Sequence, residues 1–177
     1  MLFYPALQAF DFDTDSYVEH ACDAWMPRDT AISFWLWYAY GTVGSFNVTQ
    51  FALNEHTTAE AKAKYAEYFP RSENVPRTSK PTQESEAQWA EIGDLITLSY
   101  FSPLMATDVR GQPMTYVVTC EQDVFREDGF MYVKRLRAAG VRVAHAHYLA
   151  MHDFLTMPVD YARRVIENAA RYLAWNL

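Results

Sequence analysis

Met114-Thr-Tyr-Val-Val-Thr-Cys120 runs through Asp123 and Asp128-Gly129 into Phe130-Met-Tyr-Val-Lys-Arg-Leu136, then Gly140 and Val141-Arg-Val-Ala-His-Ala-His-Tyr-Leu149. The first run is rich in β-branched residues and reads as a strand. Asp128 to Ala139 reads as a helix, with Phe130, Val133 and Leu136 on one stripe and Gly140 closing it. Val141–Leu149 reads as a second strand. Pro158 opens a final helix in which Ala162, Val165, Ile166, Ala169 and Leu173 fall at helical spacing. Strand, helix, strand, helix in units of about 30 residues predicts a right-handed βαβ crossover onto a parallel sheet.

Met1 to Leu7 is apolar on both alternating faces, as a strand covered on two sides would be. An edge strand this apolar is an aggregation hazard, so the start is expected to be cut from a larger sheet. Asp11 to Asp29 reads as a polar connection, and Asp29 or Thr30 is placed to cap a helix over Ala31–Tyr40 that stops at Gly41. That helix carries Phe34, Trp35, Trp37 and Tyr38 all round it and is expected to be sandwiched between layers. Ala59–Phe69 reads as a helix ended by Pro70. Arg71 to Gln88 reads as a loop, Trp89–Leu98 as a short helix or turn, and Ser102 to Pro113 as a connection. The expected fold class is α/β, with parallel strands at about 1–7, 114–120 and 141–149. Residues 1–177 form one partial domain. Within it, 11–113 is a helical and loop connection with room for lid or pocket segments, and 114–177 is a β-α-β-α core.

Half of the 177 residues are hydrophobic and 21% are charged, which fits a packed core rather than a disordered chain. The net charge of −7 argues against a nucleic-acid partner. The longest apolar stretch, Ala31 to Tyr40, is far short of the roughly 18 residues a membrane span needs. No basic n-region precedes Leu2-Phe3-Tyr4, so no signal peptide is expected. Cys22 and Cys120 make neither a disulfide framework nor a four-ligand zinc site. No cofactor motif stands out. The aromatic share of 16% suits an apolar pocket or an aromatic core.

Ligands of open parallel sheets gather at the carboxyl ends of strands. Asp123 follows the strand ending at Cys120, and His152 follows the strand ending near Leu149. A single crossover joins these strands, so their carboxyl ends are neighbours. An Asp that accepts an imidazole Nδ1–H fixes the tautomer and stabilises the imidazolium formed when Nε2 takes a proton. The order acid-then-His is that of the α/β-hydrolase triad, whose serine comes earlier. The plain alternative is that Asp123 caps a turn and His152 is a loop histidine. No pair of glycines brackets a serine as Gly-x-Ser-x-Gly, and no His-Gly-Gly run is present to form an oxyanion hole.

Three stretches carry a resemblance: Tyr4-Pro-Ala-Leu-Gln-Ala-Phe-Asp-Phe12, Ser102-Pro-Leu-Met-Ala-Thr-Asp108 and Thr119-Cys-Glu-Gln-Asp-Val-Phe-Arg-Glu-Asp-Gly129, the last continuing through Tyr132, Leu136 and Gly140-Val141. Together they resemble the carboxyl-terminal part of the arylacetamide-deacetylase-like enzymes, in the hormone-sensitive-lipase group of α/β-hydrolases. The resemblance implies that the chain begins just after the catalytic serine. It also implies that Asp123 is the triad acid and His152 the triad base. It implies hydrolysis of small esters, aryl amides or lipid esters without a cofactor, in the lumen of the endoplasmic reticulum, with any membrane anchor upstream. The family usually has His-Gly where this chain has His152-Asp153, and Asp153 is positioned to compete for His152 or to raise its pKa.

Other signals carry two readings each. His145-x-His147 puts two imidazoles on one strand face, either as zinc ligands or simply as a polar face. Cys120 is a nucleophile only with a stabilised thiolate and otherwise inert core. Asp128 looks like a helix N-cap, and Arg126 and Glu127 like solvated loop charges. Asn47-Val48-Thr49 is a glycosylation sequon. Three readings follow: part of a serine carboxylesterase; a catalytically inactive, truncated or purely binding relative; and a zinc hydrolase built on His145 and His147.

Overall fold

A computed structural model describes residues 1–41, 47–70 and 83–176. Three strands form one parallel sheet in the order β1-β2-β3: β1 at Leu2–Phe3, β2 at Thr115–Gln122 and β3 at Val143–Met151. Among the described residues seven α-helices flank them: α1 at Asp15–Glu19, α2 at Arg28–Tyr40, α3 at Val48–Ala52, α4 at Ala59–Lys64, α5 at Gln83–Thr97, α6 at Arg126–Ala138 and α7 at Asp160–Asn176. The β2-α6-β3-α7 unit is the one the sequence predicts. Central β2 is buried from Tyr116 to Cys120 because the sheet covers both its edges and helices cover its faces.

Helix α6 carries Glu127 in its first turn and Arg135 and Arg137 in its last, charges that oppose its dipole at both ends. It buries Met131, Tyr132, Val133 and Leu136, while Phe130 is only half-covered. At Gly129 the helix lies directly on β2: a Cβ there would stand 2.4 Å from Thr119 Cγ2. Glycine is required at this point by the close approach, not by its own conformation.

Several expectations are corrected. The first strand is not 1–7 but two residues long. Tyr4 takes a positive φ of 34° and Pro5 has no N–H to give, so the chain turns out of the sheet after the Tyr4 N–H reaches Val118 O. Asp11 to Asp29 contains α1. Pro27, not Asp29 or Thr30, precedes α2, and Gly41 in the left-handed conformation ends it as expected. Helix α2 is not sandwiched among the described residues. It buries Ala31, Ile32, Trp35 and Leu36 and leaves Phe34, Trp37 and Tyr38 43%, 44% and 66% exposed. Helix α5 begins six residues before the expected Trp89, so Gln83–Gln88 is helix and not loop. The rest of that loop, 71–82, lies outside the described residues, as does Gly44-Ser45. In α7, Ala162, Val165 and Ala169 are buried, but Ile166 and Leu173 face outward.

The aromatic share is spent largely in the core. Phe10 packs on Tyr65, Phe69 and Trp89, and Phe12 packs edge-on to Tyr17, which in turn meets Phe125. This chain of rings links the loop after β1 to the loop after β2.

Candidate active site

The loop after β2 is shaped by its own backbone. Asp123 Oδ1 accepts the Phe125 N–H at 2.9 Å, and Asp123 O accepts the Arg126 N–H at 3.1 Å. A carboxylate that accepts the N–H two residues on, just ahead of a helix, turns the chain sharply into α6. Asp123 therefore does cap a turn, and the same carboxylate has a second contact. The end of β3 shifts register against β2, and the His152 N–H reaches Gln122 O at 2.9 Å. This strap sets the His152 side chain over the Asp123 loop.

The imidazole Nδ1 of His152 lies 3.0 Å from Asp123 Oδ1. The carboxylate is fully buried and the imidazole is 13% exposed. The Nδ1–H direction misses the oxygen, and Asp123 Oδ2 has no hydrogen-bond partner among the described residues. The contact is thus close but poorly aligned. Acid–base pairs in unliganded sites are often bent in this way and straighten when substrate binds. The His152 ring is flanked by Tyr4 at 4.8 Å and Phe125 at 5.3 Å between centroids. It opens onto a cleft of about 360 Å³ whose walls include Tyr4, Phe34, Trp35, Tyr38 and Phe125. That volume falls in the usual range for small-molecule sites, and among the described residues no carboxylate, lysine or arginine lines it.

Asp153, expected to compete for the imidazole, has other partners. Its Oδ2 accepts from Thr156 Oγ1 at 3.0 Å, and its Oδ1 lies 3.4 Å from the Tyr4 hydroxyl. Burial, and then the Asp153 charge, push the Tyr4 phenol up to about 12. The residue holds a left-handed conformation with φ 62°, where a glycine would sit without strain.

Three further expectations change at this end of the sheet. Asp128 is not an N-cap, since α6 begins at Arg126. Its buried carboxylate accepts the Leu7 N–H at 2.9 Å and Gln8 Nε2–H at 3.0 Å, pinning the loop after β1 to α6. Burial raises its pKa to about 8 against the opposing pull of those donors. Arg126 is no solvated loop charge: it is buried and pairs with Glu19, Glu121 and Glu127. Glu127 is half-buried, with its pKa raised by that burial. Ser16 Oγ completes the tie by donating to Val124 O and accepting the Glu127 N–H. Nothing in the local sequence marks Tyr4 or Phe125 as neighbours of His152. Pro5, which has no N–H to give, is the local sequence signal that β1 ends there.

His145 and His147 do share a face of β3. Thr119 Oγ1 sits 2.8 Å from His145 Nε2 and 2.9 Å from His147 Nδ1, and His147 Nε2 lies 2.8 Å from Glu121 Oε2. An ionised Glu121 can only accept, so His147 donates to it from Nε2, and the Thr119 hydroxyl bridges His147 Nδ1 and His145 Nε2. Burial, then Arg137 and His147, lower the His145 pKa. Among the described residues no three His, Cys, Asp or Glu side chains group to hold a metal ion. Cys120 is buried, and burial followed by the Asp123 charge lifts its thiol to about 12. It is therefore not a thiolate at neutral pH. Asn47 is exposed and caps α3 by accepting the Thr49 N–H at 3.1 Å.

The family model described as the alpha/beta hydrolase fold matches residues 50–156. Arylacetamide deacetylase of Bos taurus is 35% identical over 185 residues, covering 98% of this chain and 45% of that protein. Neutral cholesterol ester hydrolase 1 of Mus musculus is 33% identical over 159 residues, covering 83% of this chain and 38% of that protein. The chain thus spans less than half the length of these two relatives. Among solved structures, a fungal esterase from Rhizomucor miehei is 26% identical, with a TM-score of 0.45, over 68% of this chain and 40% of that one.

Proposed function

We propose, from the premise that this chain belongs to the α/β-hydrolase family, that it carries the acid–base half of a serine carboxylesterase. Asp123 is the acid and His152 the base. The observation that carries this reading is the 3.0 Å contact between His152 Nδ1 and a fully buried Asp123 carboxylate at the mouth of an apolar cleft. In the reaction, His152 Nε2 takes the proton of a nucleophilic hydroxyl and later gives it to the leaving alcohol or amine. Asp123 holds the tautomer with the proton on Nδ1 and stabilises the imidazolium between those steps. The cleft receives the apolar part of a small ester, aryl amide or lipid ester.

The sequence has no Gly-x-Ser-x-Gly and no His-Gly-Gly, and among the described residues no serine lines the cleft. On this reading the nucleophile and oxyanion donors lie outside these 177 residues. The same observation favours a second reading, in which the protein is a catalytically inactive relative that binds ligands in the cleft. By resemblance the protein works in the lumen of the endoplasmic reticulum. No described helix is long and apolar enough to cross a membrane.

The test begins with the transcript upstream of the Met1 codon. On the esterase reading an in-frame Gly-x-Ser-x-Gly precedes it, and the protein made from that longer frame hydrolyses p-nitrophenyl butyrate. His152→Ala in that protein is expected to cost on the order of 10⁴-fold or more in kcat. The 177-residue chain alone is expected to match its own His152→Ala variant. Turnover in the longer protein that ignores His152→Ala defeats the esterase reading. A stop codon close upstream favours the inactive relative.

A further inference from the structure

We propose that Tyr4 and Asp153 are positioning residues that clamp the imidazole of His152. This rests on the reading of His152 as the base and adds to it two residues that the triad pattern does not contain. Among the described residues only three non-glycine residues hold a positive φ: Tyr4, Asn54 and Asp153. Two of the three meet at His152. Strain of this kind persists where the surrounding structure over-determines it, and it gathers at functional sites. The strained pair is also in contact, with the Tyr4 hydroxyl 3.4 Å from Asp153 Oδ1, although 149 positions separate them in sequence.

Each partner is fixed from its other side. The Tyr4 N–H reaches Val118 O at 2.7 Å, where β1 leaves the sheet. Thr156 holds Asp153 three times: its N–H and its hydroxyl both reach Asp153 O, and the hydroxyl also reaches Asp153 Oδ2. Between these anchors the Tyr4 ring lies tilted on the His152 ring at 4.8 Å, with Phe125 edge-on at 5.3 Å. An imidazole held by a single bent contact to Asp123 is free to swing about its side-chain torsions. Rings against it at two places leave one orientation, with Nδ1 toward Asp123 and Nε2 toward the cleft. Base chemistry needs that orientation before substrate arrives. Asp153 thereby acts on His152 through Tyr4 and leaves the imidazolium charge to Asp123.

The experiment is long-range ¹H–¹⁵N correlation of the histidine rings in the full 177-residue chain, with His152 assigned by its loss in His152→Gln. The wild-type protein is expected to show one sharp set of His152 ring signals. Tyr4→Leu removes the ring, and Asp153→Gly removes the carboxylate. Each is expected to split or broaden that set. Asp153→Gly also relaxes the left-handed residue, and a urea midpoint close to that of the wild-type protein separates local disorder at His152 from unfolding. Asp153→Asn keeps a side-chain oxygen and is expected to retain the single set, whereas Tyr4→Phe keeps the ring but loses the hydroxyl that meets Asp153, so it is expected to broaden the set as Asp153→Gly does. Asp123→Asn tests the underlying reading separately, because it is expected to change which nitrogen holds the proton. A single sharp set in both Tyr4→Leu and Asp153→Gly overturns the clamp, whatever Asp123→Asn does. An unchanged tautomer in Asp123→Asn counts against the triad reading and leaves the clamp to be judged by the other two variants.

Discussion

Gly129→Ala is expected to destabilise the protein through one atom. The added Cβ meets Thr119 Cγ2 at 2.4 Å, whereas carbon–carbon contacts are comfortable at about 3.5–4.0 Å. Thr119 cannot swing its methyl aside cheaply. It is fully buried in the central strand, and its hydroxyl is held by His145 and His147. Rotating it forfeits two hydrogen bonds worth about 1 kcal/mol each. Overpacking of this kind costs about 1–3 kcal/mol. The helix propensity gained on replacing glycine by alanine returns up to about 1 kcal/mol. The net expectation is a loss of about 2 kcal/mol. Thr119→Ser keeps the hydroxyl and removes the offending methyl, and alone costs about 1 kcal/mol for the lost burial. In that background Gly129→Ala is expected to be neutral or mildly stabilising. The coupling between the two sites is then about 2–3 kcal/mol, at the high end for residues in contact. Urea midpoints of the four proteins, at unchanged slope, give the cycle directly. Additive effects would refute the close approach of α6 to β2, and with it the account of how the Asp123 loop is held.

Three other outcomes follow from the buried groups. Asp128 titrates near 8 in the folded protein because of burial and near 4 when unfolded. Between those values the native state holds a proton that the unfolded state has released, so stability falls as pH rises through that window and levels off above it. Asp128→Asn is expected to flatten this slope; urea midpoints at about pH 5 and pH 8.5 that change equally in both proteins would contradict it. Cys22 is exposed and Cys120 buried, so a thiol reagent near pH 8 is expected to label one cysteine in the native protein and two in denaturant, and rapid native labelling of both sinks the burial argument. Arg126→Met leaves three glutamates facing a neutral side chain. A loss of about 2 kcal/mol is expected, less than for a fully buried pair because Glu19 and Glu121 can rehydrate. An unchanged thermal midpoint would mean that the pairing contributes nothing.

The β2-α6-β3-α7 unit was legible because each element carries a clean local period and a recognisable stop. Asp123 and His152 were legible for the same reason: strand ends joined by one crossover must be neighbours. What escaped depends on contacts far apart in sequence. The length of β1 is set by the Tyr4 turn and Pro5, while its apolar run suggested a longer strand. The environment of α2 cannot be read from a helix that is aromatic on every side, and only the fold shows which face is covered. Asp128 beside Gly129 imitates an N-cap. Its true partners, Leu7 and Gln8, come from the other end of the chain, and the glycine serves the contact with Thr119. Arg126 reads as a surface charge until α1 brings Glu19 to it.

The central claim is that Asp123 sets the protonation state of His152. Long-range ¹H–¹⁵N correlation reads which ring nitrogen carries the proton in the neutral imidazole. The account predicts the proton on Nδ1 in the wild-type protein and a shift toward Nε2 in Asp123→Asn, with His145 and His147 unchanged. A His152 that keeps the same tautomer in both proteins, or that holds its proton on Nε2 from the start, would contradict it.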